Sequence, residues 1–564
     1  MYLAQSARNT EVFGFLTAGL IGAAAFFAWA GWKFLDPQNI SWLRFGDRAM
    51  HTLGWWFFRV TPWGLPLGAN PRNGLEISSS VALSDSLPLF AIPFKLLSPL
   101  LPAVFQYWGL WFLLSMVLQA VFGYAIGREL RLSRIVSLLL ATCLVLTPAF
   151  LFRLPIHMAL AGHWTLLAAL YLYIKREPPR RFAWPLLLAV TAAVHAYLLA
   201  MVLAVWVAAI AQRFWLKRLS WQQALLEVAL GTACAGAVLW AAGFLMTSSL
   251  GADGFGFYRM NLDSFLDPYH WSWLIPNLPN VPGDYEGLVF PGLGVLLLLV
   301  LGLVLAAPQL RSVVSPRWMP LFIVVLGMAL FAVSNKPVLG TVELGTIPLP
   351  DFALNFASMF RASGRMIWPA GYLVVLLAFV LLDRRLDSRT LALVAGAAVL
   401  IQAVDTSRGW TQFATSQIPP AARWPTPIKS PFWVFAASHY GKIRALPVKK
   451  LNKSWAELSY FAAFHNMASD ATWLGRLDDK DFRSLDRLAS TTLQRGTFQP
   501  DALYVLDPAS AAIAHQFARP QDLLTEVDGF IVFAPNGRTY ANAAHLDPLP
   551  YVPPMATAAN RQAP

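Results

Sequence analysis

Long apolar runs, broken at intervals by short basic clusters, constrain this 564-residue chain more than any other feature of its sequence. Many of the runs approach the ~20 residues that a helix needs to cross ~30 Å of hydrocarbon. Backbone groups inside lipid must be satisfied within the segment, so these runs are predicted to be helices. Only 13% of the residues are charged, against about 25% in soluble domains, so we predict a polytopic membrane protein.

The basic clusters predict its orientation, because cytoplasmic loops carry an excess of Lys and Arg. If all five clusters are cytoplasmic, the chain must cross the membrane an even number of times between each cluster and the next. The apolar runs satisfy this rule with about eleven transmembrane helices. The N-terminus would lie in the cytoplasm and the C-terminal region on the outer side of the membrane. The net charge of +13 comes mostly from the same clusters, so we expect membrane lipid and no nucleic acid as a partner. The clusters are Arg128, Arg131 and Arg134; Lys175, Arg176, Arg180 and Arg181; Arg213, Lys217 and Arg218; Arg311 and Arg317; and Arg384, Arg385 and Arg389.

One apolar stretch, 184–212, has basic residues at both ends and would violate the charge rule as a single helix. We predict two short helices that turn near His195. The other predicted helices are 13–34, 102–126, 135–152, 159–174, 223–246, 290–307, 318–334, 366–382 and 390–404.

The composition changes after about residue 405, where charged residues and turn formers appear. Short β-like runs alternate there with helical patterns, which predicts a small α/β domain with a mostly parallel sheet. The fold class is therefore a mostly α polytopic bundle with a C-terminal α/β extracytoplasmic domain. We predict a transmembrane domain over 1–404 with a first outer loop at 35–100, an α/β domain over 405–548 and a disordered tail over 549–564. The predicted strands are 442–447, 472–477, 502–506 and 529–533, and the predicted helices are 455–468 and 480–493.

Two acids in the first outer loop are the leading catalytic candidates, because an acid close to hydrocarbon is costly unless it is paired or solvated. Asp47 either acts as a general base or cation ligand, or is a solvated acid paired with Arg44 or Arg48. Asp85 either supplies a second active-site carboxylate or caps the apolar helix that follows it.

Two arginines precede the predicted helix 366–382. Arg361 and Arg365 are spaced i and i+4, which would place them on one helical face. They are exceptions to the positive-inside trend, and the arginine fork suits phosphate. They would bind a lipid-linked phosphate, or else anchor the chain to lipid headgroups.

Aromatic and histidine side chains also fall on the predicted outer face. Tyr258, Tyr285 and Glu286 belong to a long loop that would stack on sugar rings and bond hydroxyls, or would only be a structured loop. His157, His163 and His195 together would form a proton or phosphate site, with His163 and His195 contacting substrate, or else each would serve packing.

The pattern of these segments resembles the GT-C superfamily of polyprenyl-phosphate-sugar-dependent glycosyltransferases, and more narrowly a bacterial multi-spanning subfamily. The resemblance covers essentially the whole chain. It is carried by Gly46-Asp47, Pro62-Trp63 to Gly68, Ser84-Asp85-Ser86-Leu87-Pro88, Phe105-Gln106-Tyr107-Trp108-Gly109-Leu110-Trp111, Gly162-His163-Trp164, Asp284-Tyr285-Glu286-Gly287 and Phe360-Arg361-Ala362-Ser363-Gly364-Arg365.

The resemblance implies a protein of the bacterial inner membrane whose C-terminal domain lies in the periplasm. It implies transfer of a sugar from a polyprenyl-phosphate donor to a glycan, lipid or protein acceptor at the outer face, with inversion at the anomeric carbon. It implies that Asp47 is the base and that Arg361 or Arg365 stabilises the leaving phosphate. Many relatives carry two adjacent acids, whereas Arg48 follows Asp47 here, so Asp85 would supply the second carboxylate for a divalent cation, Mg²⁺ or Mn²⁺. The alternatives are a non-catalytic transporter or flippase, or an assembly partner for a lipid-linked glycan.

Overall fold

The computed structural model describes residues 2–77, 79–177, 179–247, 254–306, 315–417, 424–448, 454–475 and 479–543. These residues are mostly helical, and seven helices are long and apolar enough to cross a membrane. An adjoining pair, Arg134–Val145 with Pro148–Ile156, bends by 43° and makes an eighth if it counts as one span. The chain is thus a polytopic helical protein. The seven are Asn9–Trp29, Trp108–Glu129, Ala196–Trp215, Trp221–Ala242, Pro316–Val333, Ser363–Asp383 and Ser388–Thr411.

The remaining predicted crossings correspond to shorter apolar helices: Trp164–Ile174, Ala183–Val194 and Leu293–Ala306. At 1.5 Å per residue, helices of 11 to 14 residues span roughly 17–21 Å, which is less than the hydrocarbon core. The count of eleven crossings therefore stays a prediction. Arg311 and the predicted tail 549–564 lie outside the described residues.

The predicted break near His195 is confirmed. Ala183–Val194 ends there, Ala196–Trp215 begins directly after it, and the two helices pack against each other. His195 itself is extended, with φ −166° and ψ 139°, and its Nδ1 accepts the Tyr197 backbone N–H at 3.1 Å. This histidine is the N-cap of the second helix.

The chain divides into two compact units. The first takes the described residues of Met1–Trp42, Leu101–Trp240 and Leu250–Ala422, and the second those of Leu43–Leu100, Ala241–Ser249 and Arg423–Pro564. The sequence-based division instead groups the whole first loop with the spanning helices. Hydrogen bonds across large sequence separations explain the difference, since Arg72 Nη1 donates to the Asn466 carbonyl and Gly68 N–H to the Ala241 carbonyl.

In the first unit, β1 Val338–Leu339 and β2 Val342–Glu343 form a small hairpin. The strands of the second unit are β3 Lys442–Leu446, β4 Ala468–Ser469, β5 Ala502–Leu506, β6 Leu523–Val527 and β7 Phe530–Ala534, and they form a sheet in the order β4-β3-β5-β7-β6. The pairs β3–β4 and β3–β5 are parallel, while β5–β7 and β6–β7 are antiparallel, so the expectation of a mostly parallel sheet is wrong. The cause is a β6–β7 hairpin with Asp528 and Gly529 at its turn, both at positive φ.

Helices flank this sheet, and two further helices of the unit lie within the first outer loop, 35–100. The strand predicted at 472–477 is absent over its described residues 472–475, and β4 lies just before it. The helices of the second unit are Gly46–Val60, Pro88–Leu96, Pro431–His439, Trp455–Phe464, Asp479–Arg495, Pro508–Phe517 and Gly537–Ala543.

Candidate functional site

Asp47 lies in the first turn of the helix Gly46–Val60, not in an irregular loop. Gly46 enters the helix with φ 55°, a conformation that glycine adopts without steric cost. A negative charge in a first turn is favoured by the helix dipole. The local fold therefore supports an ionised carboxylate at this position.

Asp85 does not cap a helix. The helix Pro88–Leu96 starts after Leu87, which makes no side-chain capping bond. Asp85 and Leu87 both have positive φ, 49° and 55°, in a region that non-glycine residues seldom adopt. Strained backbone of this kind is concentrated at functional sites, which favours the active-site interpretation of Asp85 over the capping interpretation.

The turn that carries Asp85 packs directly on the helix that carries Asp47. Ser86 Oγ donates to the His51 carbonyl at 2.7 Å and lies 2.8 Å from Ser84 Oγ. Gly54 allows this close approach, because a Cβ there would lie only 2.6 Å from the Ser84 Cβ. We call this arrangement, the helix Gly46–Val60 with the turn 84–87, the acidic module.

Gly54→Ala tests that packing. We expect the new methyl group to push the turn away from the helix and to destabilise the protein by about 1–3 kcal/mol, as overpacking does. The thermal unfolding midpoint of the purified protein measures this effect. Gly64→Ala in the same loop is the matched control, because nothing lies within 4 Å of a Cβ there. Equal midpoints for both variants would contradict the close packing.

Within the described ranges, no group of three or more His, Cys, Asp or Glu side chains is arranged to hold a metal ion. If the protein uses a divalent cation, Mg²⁺ or Mn²⁺, the sequence predicts Asp47 and Asp85 as its ligands. The acidic module belongs to the second unit, while the arginines and tyrosines of the prediction belong to the first.

Glu286 is the centre of a buried ion cluster in the first unit. Arg365 forms a two-pronged bond to it, with Nε 2.8 Å from Oε2 and Nη2 2.7 Å from Oε1. Arg153 Nη1 donates to Oε2 at 2.7 Å, and His157 Nε2 lies 3.3 Å from Oε1. Burial by itself would raise the pKa of Glu286, but the charges of Arg153 and Arg365 outweigh it and hold the pKa well below 4.5.

The cluster therefore contains a permanently ionised carboxylate whose two oxygens are both occupied. Arg365 is 7% exposed, and its guanidinium is committed to Glu286. Binding of a phosphate by Arg365 would require it to leave a buried carboxylate without its partner. The structure thus separates the two arginines that the sequence pairs as equivalent phosphate ligands.

Arg361 is the exposed member of that pair. It precedes the 3₁₀-helix Ser363–Ile367, which contains Arg365, so the expectation that both share one α-helical face is wrong. The Arg361 Cζ lies 5.7 Å from the centre of the Tyr258 ring. Among the described residues Arg361 forms no ion pair with a carboxylate, so the N–H groups of its guanidinium are available to bind an anion.

Tyr258 adjoins Arg361, and Tyr285 in turn contacts Tyr258. Tyr258 and Tyr285 meet edge to face with ring centres 6.2 Å apart, and the Gly364 N–H donates to the Tyr258 carbonyl at 2.9 Å. Burial, the charge of Glu286 and the neighbouring Tyr258 raise the pKa of Tyr285 to about 12. The Tyr285 hydroxyl therefore stays protonated at neutral pH and serves as a hydrogen-bonding group, not as a base.

Of the three predicted histidines, His157 belongs to the Glu286 cluster, whereas the other two are internal. His163 is fully buried, and its Nδ1 lies 2.7 Å from the Tyr372 hydroxyl, which also accepts from Gln119 Nε2 at 2.9 Å. His195 is 8% exposed and caps a helix. The expectation that these histidines line the outer rim and contact substrate is not met, and the packing interpretation explains both.

Arg153 and Tyr197 also belong to the site, although the sequence did not predict either of them there. Arg153 is a charge inside the apolar helix Pro148–Ile156, and a charge in such a segment needs a partner. Tyr197 accepts the Ala362 N–H at its hydroxyl, 2.9 Å away, and its ring lies 4.8 Å from the Arg365 Cζ. The chain position of Arg153 was the available signal, whereas nothing in the sequence indicates Tyr197.

The fold and site together define a class: a polytopic helical protein with a buried Arg–Glu–Arg cluster and an appended α/β unit. Residues 19–407 match a family model described as a domain of unknown function, DUF6311, and residues 432–535 match the DUF6311 C-terminal domain. The chain therefore belongs to the DUF6311 family. A comparison with curated proteins found no match.

Proposed function

We propose that the protein is a GT-C-type glycosyltransferase of the bacterial inner membrane. It would move a sugar from a polyprenyl-phosphate donor to a glycan, lipid or protein acceptor at the outer face. The observation that carries the proposal is the exposed Arg361 beside the ring of Tyr258, which in turn contacts the ring of Tyr285. An arginine fork suits a phosphate, and aromatic faces suit a sugar ring, so this group of residues suits a phosphate-linked sugar.

In the proposed reaction the acceptor hydroxyl attacks the anomeric carbon of the donor. Its proton passes to the Asp47 carboxylate, a new C–O bond forms, and the C–O bond to the phosphate breaks with its electrons leaving on the polyprenyl phosphate. Arg361 stabilises the charge that develops on this phosphate. A single displacement of this kind inverts the anomeric centre.

The fixed cluster supports the same proposal by positioning the phosphate ligand. Glu286 holds Arg365, and the short segment 361–365 links Arg365 to Arg361. Because Arg365 is anchored by two bonds, the backbone that carries Arg361 has little freedom. Pre-organised groups of this kind are what transition-state stabilisation requires.

A lipid-linked-glycan transporter or flippase, or a non-catalytic assembly partner, is the second candidate. The buried charges of Arg153, Glu286 and Arg365 favour the transporter, since ionised groups beside apolar helices mark transport pathways. A transporter would tolerate loss of the Asp47 carboxylate, whereas a transferase would not. Activity of the Asp47→Asn variant therefore separates the candidates.

Arg361→Ala tests the phosphate site. A hydrogen bond to a charged group contributes about 1.5–3 kcal/mol, so we expect the Kd for a short-chain polyprenyl phosphate to rise about 10- to 100-fold. Arg361→Lys keeps the charge but loses the fork, and it should fall between Ala and wild type. Tryptophan fluorescence of the detergent-purified protein follows the titration.

Arg181→Ala is the matched control for this experiment. Arg181 is also exposed, and its Cζ lies 5.7 Å from the Phe182 ring, the same distance as for Arg361 and Tyr258. It should bind the lipid phosphate as wild type does. Wild-type affinity in both Arg361 variants would instead assign Arg361 to headgroup anchoring.

A further inference from the structure

A cavity of about 610 Å³ lies in the first unit where several helices end. Its lining includes Glu129 and Ile174, the last residues of their helices, and Asp383, the last residue of the helix Trp368–Asp383. On this helix the cavity extends from Leu373 to Asp383, which follow Arg365 by 8 and 18 residues, so its near edge and its far rim lie roughly 12 Å and 27 Å from the Glu286 cluster. The volume falls within the about 300–1,000 Å³ of known ligand pockets.

The walls of this cavity are apolar. Leu373, Leu376, Leu377 and Val380 line it, and their spacing forms one stripe of the helix Trp368–Asp383. Phe322, from the facing helix, also lines it and is 63% exposed. The cavity is therefore suited to a hydrocarbon chain.

The rim, in contrast, is rich in arginine. Arg176, Arg317 and Arg384 line the cavity, with Glu129 and Asp383 as its acids. Arg317 Nη2 donates to the Ile174 carbonyl at 2.7 Å, while its buried Nε has no hydrogen-bond partner among the described residues. The three arginines outnumber the two acids at this rim, so the rim carries a net positive charge that favours a bound anion.

We propose that this cavity binds an anionic phospholipid of the surrounding membrane. One acyl chain would occupy the leucine-lined wall, and the phosphate headgroup would lie between Arg176 and Arg317. The basic clusters at this end of the helices predict that it faces the cytoplasm, whose leaflet is rich in anionic lipid. The site is independent of the proposed transferase reaction.

Both parts of the cavity are needed to select this occupant. A free phosphate would satisfy Arg317 but would leave the apolar wall unfilled. A zwitterionic lipid would fill the wall, but its cationic group would meet the same arginines. An acyl chain joined to a net negative headgroup matches the wall and the rim together.

Lipid binding to the delipidated, full-length protein tests the proposal. Native mass spectrometry would compare phosphatidylglycerol with phosphatidylcholine of identical acyl chains. We expect phosphatidylglycerol to bind about tenfold more tightly or better, because each nearby arginine favours an anionic headgroup. Arg176→Gln should reduce this preference several-fold, and Leu377→Trp should weaken phosphatidylglycerol binding about tenfold by filling the cavity.

Two variants outside the cavity are the matched controls. Arg389→Gln removes another arginine from the same basic end, and Leu393→Trp enlarges a leucine that is 76% exposed on the next helix. Both should bind phosphatidylglycerol as wild type does. Equal affinity for the two lipids would overturn the proposal, as would equal binding by Leu377→Trp and Leu393→Trp. Full competition by glycerol phosphate would replace it with a site for free phosphate.

Discussion

Asp47→Asn should fold as wild type does and lose sugar transfer by about 10²–10⁴-fold, which is the usual contribution of a general base. The substitution is nearly isosteric and removes only the charge and the ability to accept a proton. Asp47 lies in a first helical turn, so losing its charge costs only about 0.3–1 kcal/mol in stability. Transfer from a polyprenyl-phosphate sugar in detergent, together with the unfolding midpoint, measures both effects.

Asp36→Asn is the matched control, since Asp36 is another acid just after the first helix and accepts the Gln38 backbone N–H. It should retain transfer activity. The Asp85→Asn variant, and separately a chelator added to the wild-type protein, then test whether a cation takes part in the reaction. Loss of activity in Asp85→Asn and on chelation indicates a shared Mg²⁺ or Mn²⁺, whereas insensitivity to chelator indicates direct base catalysis. Full activity in Asp47→Asn would move the base elsewhere and would favour the non-catalytic alternative.

Glu286→Gln should destabilise the first unit by about 3–5 kcal/mol, because it leaves two arginines without their buried counter-charge. Glu286 is 2% exposed, so solvent does not screen the loss. The free energy of unfolding in detergent measures the effect. Glu343→Gln is the control, since Glu343 pairs with Arg259 at 3.4 Å but has a 45% exposed side chain. That control should change stability by less than about 1 kcal/mol.

The pH dependence of this cluster follows from the depressed pKa of Glu286. A carboxyl group with a lowered folded-state pKa contributes stability above its unfolded pKa and loses it as the pH falls through the folded value. Because the folded pKa lies well below 4.5, the contribution is constant between about pH 5 and 8 and disappears only in stronger acid. A stability loss between pH 5 and 8 that is absent in Glu286→Gln would contradict this account.

The helices were largely predictable because periodicity and charge act locally. The break at His195 followed from the charge rule alone, and most predicted runs coincide with helices in the structure. The sheet was harder. Its Asp528-Gly529 hairpin had a visible turn signal that favours antiparallel strands, yet alternating strands and helices suggested parallel pairing.

The sequence predicted several residues of the site, but it did not predict which of them form ion pairs with each other. Glu286 and Arg365 were both expected at the site, yet nothing in their separation along the chain shows that they neutralise each other. The i, i+4 spacing of Arg361 and Arg365 suggested one helical face, whereas the helix begins after them and only Arg361 is exposed. Partner choice across 79 residues depends on tertiary packing, which spacing does not encode.

The discontinuous second unit has a consequence for biogenesis. Arg444 on β3 bonds Glu76 of the first loop across 368 residues, and Arg72 bonds Asn466. At about 5–20 residues per second, a ribosome needs roughly 20–70 s to reach Arg444 after Glu76 has been made. During that interval the first loop lacks the partners that Arg444 and Asn466 supply. This unit therefore completes its folding late in synthesis. In a chain truncated before β3, the first loop would lack these bonds and would be open to cleavage by membrane-associated proteases.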